Sequence, residues 1–131
     1  MDLTYCSELG ERFLESHVAA GGSAKVRFLN YWPQNTKSFI LKYLATANSE
    51  RDFLPRSIKF GTEILDVLFK RWSQDKKKYF LVDFFSQLPE KHLTEYCLHL
   101  LAGIKESDSD NFVLLKDRDG AYILSFPRCA I

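Results

Sequence analysis

His92, Glu95 and His99 are the side chains whose types and spacing most resemble a metal site. Steps of three and four residues bring them onto one face of a helix, where two imidazoles and a carboxylate offer donor atoms that suit zinc. A closed tetrahedral site needs a further ligand, and no cysteine joins this face. The expectation is therefore a solvated polar face with no metal. Nucleophilic catalysis requires a nucleophile, a base and a group that orients the base. His17, His92 and His99 are the histidine bases on offer, and none stands in a GxSxG, HExxH, P-loop or GxGxxG context. Asp108-Ser109-Asp110-Asn111 and Asp117-Arg118-Asp119-Gly120 each imitate a fragment of a calcium loop but lack its ligand ladder and terminal glutamate, so they read as turns. Neither enzymatic activity nor a cofactor is expected.

Two other groupings suggest binding. Lys70, Arg71, Lys76, Lys77 and Lys78 place five positive charges against the single negative charge of Asp75. With Lys116 and Arg118 they have the chemistry to contact phosphates, which predicts at most weak, salt-sensitive and sequence-independent nucleic-acid binding. The second grouping is aromatic. Eleven Phe, six Tyr and two Trp exceed what a small core needs. Tyr31-Trp32-Pro33 falls between two periodic segments, and Phe28, Tyr31, Trp32 and Tyr43 are expected to leave a surface for a protein partner, with core capping slightly favoured for Trp32 alone because a Trp beside Pro often plugs the end of a small helical domain.

The 131 residues carry 18 Lys+Arg and 17 Asp+Glu, for a net charge of +1, and are 46% apolar. This length and balance suit one globular domain, 1–131, and argue against a surface given over wholly to nucleic acid. The longest apolar runs are far below the roughly 18–20 residues of a membrane span. Cys6, Cys97 and Cys129 are widely spaced and form no CxxC pair. With no signal-like start, an intracellular home, nuclear or cytoplasmic, is expected. The ending at Pro127-Arg128-Cys129-Ala130-Ile131, directly after a predicted strand, suggests an N-terminal domain of a longer protein. Oligomeric state is not legible.

Helical periodicity from Leu3 to Val18 predicts a first helix ending near Ala20, and a second follows after Asn35 or Thr36, carrying Phe39, Ile40, Tyr43, Leu44 and Ala47 on one face. Ala24–Pro33 reads equally as a short strand or a helix start. Asn48–Asp52 reads as a loop, and Ser57 as the cap of a helix bearing Ile58, Leu65, Leu68, Phe69 and Trp72. Tyr79–Leu88 reads as a short buried helix. Pro89 opens another, with Leu93, Tyr96, Cys97, Leu100, Leu101 and Ile104 inward. Phe112–Leu115 and Ala121–Phe126 flank an acidic, Gly-ended turn and predict a β-hairpin. The class is α+β and mostly helical, with helices followed by a C-terminal β-hairpin. From Pro55 onward the order of helix, short helix, helix and hairpin resembles a winged helix; the alternative is a helical bundle with a flanking hairpin.

Overall fold

Alternation governs the segment Phe80-Leu81-Val82-Asp83-Phe84: Phe80, Val82 and Phe84 are buried with the core, whereas Leu81 and Asp83 are not part of it. That period of two is a strand's, and the segment is β4 of a four-stranded sheet. The computed structural model describes residues 2–4, 12, 16, 27–29, 31–47, 50–74, 79–104 and 112–127. Within them lie β1 (Asp2–Thr4), β2 (Arg27–Leu29), a 3-10 turn (Gln34–Thr36), α1 (Lys37–Thr46), β3 (Arg51–Phe53), α2 (Glu63–Gln74), β4 (Phe80–Phe84), α3 (Glu90–Ile104), β5 (Val113–Lys116) and β6 (Tyr122–Phe126).

The sheet order is β3-β4-β6-β5, with β3 parallel to β4 and the other pairs antiparallel; β1 and β2 form a separate parallel pair. Parallel neighbours cannot be joined by a tight turn, and α2 supplies the crossover from β3 to β4. The β5–β6 connection is tight. Gly120 takes φ +89, and the Asp117 carboxylate accepts the N–H groups of Asp119 and Ala121 at 2.9 and 3.0 Å.

All three described helices pack on one face of the sheet. Ile40, Tyr43 and Leu44 of α1, Ile64, Leu65, Leu68, Phe69 and Trp72 of α2, and Leu93, Cys97 and Leu101 of α3 join Phe80, Val82, Phe84, Leu124 and Phe126 in one cluster. Phe126 stacks on Phe80 with centroids 4.6 Å apart and meets Phe69 edge-on at 4.9 Å. The Trp72 indole Nε1–H donates to the Pro127 carbonyl at 3.1 Å.

The α+β class, with helices leading to a terminal hairpin, is the architecture observed. Several local expectations change. Tyr79–Leu88 holds a strand, because alternate residues, Phe80, Val82 and Phe84, join the apolar core in a run this short, which outweighs an i, i+4 match. The middle helix behind the winged-helix likeness is therefore absent, and the hairpin belongs to a full sheet, not to the flank of a bundle. Arg51–Phe53, within the expected loop, is a strand. Ser57 caps no helix, since α2 begins at Glu63. Its hydroxyl instead accepts the Trp32 N–H at 3.0 Å and donates to the Trp32 carbonyl at 2.6 Å. Ile58 and Phe60 alternate inward while the Lys59 backbone pairs with Phe85. Thr36 donates its hydroxyl to the Pro33 carbonyl at 2.6 Å and caps nothing. Arg27–Leu29 resolves the ambiguity of Ala24–Pro33 as a strand. Arg12 and Ser16 are helical; the rest of the first expected helix, apart from the strand residues Leu3 and Thr4, lies outside the described residues.

One buried polar group ties the layers together. Asp52, 1% exposed on β3, accepts the Tyr43 hydroxyl of α1 at 2.9 Å and pairs with Arg71 of α2 at 3.5 Å. The Arg71 guanidinium also lies over the Phe80 ring, 4.1 Å from its centroid. Removing one member of a buried pair strands the other. Asp52→Ala is expected to lower stability by about 3–5 kcal/mol, measured by urea unfolding. A loss under about 1 kcal/mol, the level of an exposed pair, would mean that Arg71 finds water.

Candidate functional site: the open face of the sheet

Side chains on adjacent strands in register share a face, so the pairing dictates what the sheet presents away from the helices. One row runs Arg51, Leu81, Ser125, Val113; the next runs Phe53, Asp83, Ile123, Leu115. Tyr79 precedes Leu81 by two residues and Phe85 follows Asp83 by two. No described helix lies over this face. Val113 and Leu115 on β5 are 50% and 56% exposed, and Phe53 and Tyr79 are exposed as well. Solvent-facing strand positions are usually polar. Here most are apolar.

Asp83 stands near the centre of this face. Phe53 and Ile123 flank it across the strands, with Leu81 and Phe85 two residues away on its own chain. It is 9% exposed, and among the described residues its carboxylate has no hydrogen bond or ion pair. Arg56 is the nearby cation, but it pairs with Asp119 at 3.2 Å and sits over the Phe85 ring. Burial, followed by the charges of Asp117 and Asp119, pushes the Asp83 carboxyl above its ordinary value, and Arg56 opposes the shift.

The expected aromatic patch divides between core and surface. Trp32 and Tyr43 are fully buried, and half-buried Phe28 meets both rings edge-on at 5.2 and 5.9 Å. Only Tyr31, 68% exposed, is left for a partner. Trp32 takes the core-capping place, anchored at its backbone by Ser57 beside α1, and the correction falls on Tyr43, whose ring α1 turns into the core.

Among the described residues the basic groups do not converge. Lys76, Lys77 and Lys78 lie outside the described residues. Lys70 is exposed, but Arg71 is committed to Asp52 and Phe80, so it is not a phosphate ligand. Lys116 lies over the Tyr122 ring, and Arg118 sits between the two aspartates of its turn. The hairpin turn lies beside the end of β4, where Phe84 pairs with Tyr122.

His92, Glu95 and His99 are exposed on α3, and no group of three His, Cys, Asp or Glu among the described residues could hold a metal ion. Cys97 is fully buried, and burial pushes its thiol up to about 12. It is not a nucleophile in this state.

The open face escaped the sequence reading, although two signals for it were present. Val113-Leu114-Leu115 is apolar on consecutive positions, so whichever side faces the core, the other side is apolar too. Asp83 is a lone charge in the run Phe80–Phe85, and only a strand puts it opposite Val82 and Phe84. No protein-family model matches the chain, and no curated protein or solved structure shows significant similarity to it. The fold and this face therefore define the molecule only as an α+β domain with helices on one side of a mixed sheet and an apolar surface on the other.

Two measurements follow from these environments. The folded protein holds the Asp83 proton more tightly than the unfolded chain does. Its contribution to stability is thus fully present only below the ordinary aspartate value of 3.8 and is lost as pH rises through the raised folded value. Asp83→Asn should raise the urea midpoint at pH 7, with the gap between variant and wild type narrowing as pH falls toward about 4. A gap that is constant with pH would mean that ionisation is not its cause. Separately, iodoacetamide at mildly alkaline pH should spare Cys97 in the folded protein and alkylate it in urea, as read by peptide mass mapping. Rapid labelling of the folded form would contradict its burial.

Proposed function

We propose that this domain is a non-enzymatic protein-interaction module, of adaptor or scaffold type, that docks its partner on the open face of the four-stranded sheet. The observation carrying this reading is the exposure of Val113 and Leu115 beside Ile123 and Leu81, with no described helix over them. An apolar surface fixed on a sheet pays little ordering entropy when it is covered, which suits recognition. The surface replaces the tripeptide at Tyr31 as the principal contact because Trp32 and Tyr43 are core.

Nucleic-acid binding draws less support, because Arg71 is sequestered and the hairpin tip carries Asp117 and Asp119 alongside Arg118. No described helix is long and apolar enough to cross a membrane.

The test compares proteins co-purified from cells with the wild-type protein, a Val113→Glu, Leu115→Glu double variant and Tyr31→Ala. The expected result is a set of partners retained by Tyr31→Ala and lost from the double variant, whose melting temperature stays within a few degrees of wild type. Retention by the double variant sinks the proposal, and loss from Tyr31→Ala alone returns the contact to the aromatic segment.

A further inference from the structure

A carboxylate that is nine-tenths buried and lacks a hydrogen bond is costly, and proteins seldom leave one without a partner. Asp83 is such a group among the described residues, and it stands at the middle of the apolar face. Its surroundings are acidic: Asp117 and Asp119 lie toward the hairpin turn, and Arg56 is held by Asp119. The face is therefore complementary to an apolar surface with one positive charge near its centre.

We propose that the occupant of the open face is an amphipathic helix of a protein partner, carrying one arginine that pairs with Asp83 among apolar residues that cover Leu81, Ile123, Val113 and Leu115. This inference rests on the docking reading above and adds the chemistry of the partner. The helical form follows from backbone accounting. The middle of a sheet face offers side chains only, so an extended occupant would bury N–H and C=O groups without partners, whereas a helix satisfies its own. The protein covers the opposite face of the same sheet with helices.

Arginine is favoured over lysine for two reasons. A guanidinium is less strongly hydrated than an ammonium and so costs less to bring into a largely apolar contact, and its planar fork meets both carboxylate oxygens at once. Four strands at about 4.8 Å spacing are crossed by roughly ten helical residues, so a short segment suffices. The ion pair fixes register and orientation, while the apolar residues supply most of the affinity.

The probe is a displayed library of amphipathic helices of about 16 residues, with the apolar face randomised over aliphatic, aromatic, acidic and basic residues. It is selected on the intact protein and rescreened on Asp83→Asn and Leu115→Glu. The expected result is enrichment of helices with arginine at one position between apolar residues, which bind Asp83→Asn at least about tenfold more weakly and fail on Leu115→Glu. Citrulline in place of that arginine should cost the same factor on the wild type and nothing further on Asp83→Asn, a coupling that a purely structural role for Asp83 would not produce.

Enriched helices that lack a cation, or that bind Asp83→Asn as well as wild type yet fail on Leu115→Glu, overturn the arginine recognition and leave the docking face standing. Binders indifferent to Leu115→Glu, or the recovery of none, remove both. Self-association in sedimentation velocity that Leu115→Glu abolishes and Asp83→Asn does not alter identifies a second copy as the occupant, and that too overturns the proposal.

Discussion

The carboxylate of Asp52 is the group to which both helices of the N-terminal half and the sheet answer together. It sits on a strand of only three residues, faces the core, and is met by the hydroxyl of Tyr43 from α1 and the guanidinium of Arg71 from α2. A charge in that position is tolerated only while both partners arrive, so the positions of α1 and α2 are set relative to β3 as a unit. Because β3 is parallel to β4 and α2 is the crossover between them, the same constraint fixes how α2 lies across the sheet. An apolar substitute would fill the same space, but it would not specify this one arrangement.

The two acidic residues on neighbouring strands illustrate opposite solutions. Asp52 faces the helices and is supplied with partners by this chain. Asp83 lies one row over on the outer face and is supplied with none among the described residues. The sheet's pleat, through which successive residues face opposite ways, creates that difference. It gives the domain one side filled by its own helices and another that no described helix covers.

Legibility from the sequence followed the length and purity of each pattern. α3 and the C-terminal hairpin were readable because Leu93, Cys97 and Leu101 keep helical spacing over several turns and because Asp117–Gly120 has turn chemistry. β3 was not, since Arg51-Asp52-Phe53 is mostly charged and the burial of Asp52 depends on partners 9 and 19 residues away. In β4, Phe80, Leu81, Phe84 and Phe85 fit helical spacing by coincidence, and only the sheet decides for alternation. Trp32 was legible as a core cap from its place beside Pro33, but the backbone bonds to Ser57, 25 residues on, that hold it there were not. The candidate site was hidden for the same reason, being a property of four strands in register that no single segment carries.

The side chain of Gln34 donates its Nε2–H to the Lys59 carbonyl and accepts the Lys59 N–H at its Oε1, at 2.9 and 3.0 Å. A primary amide presents the same donor and acceptor as a peptide unit but has no further chain attached. A ladder that meets it comes to a stop. A foreign strand approaching Ile58–Phe60 would find the Lys59 backbone already engaged, on a stretch where two core side chains alternate with a solvated lysine. The protein thereby closes this margin to stacking into filaments with a single side chain.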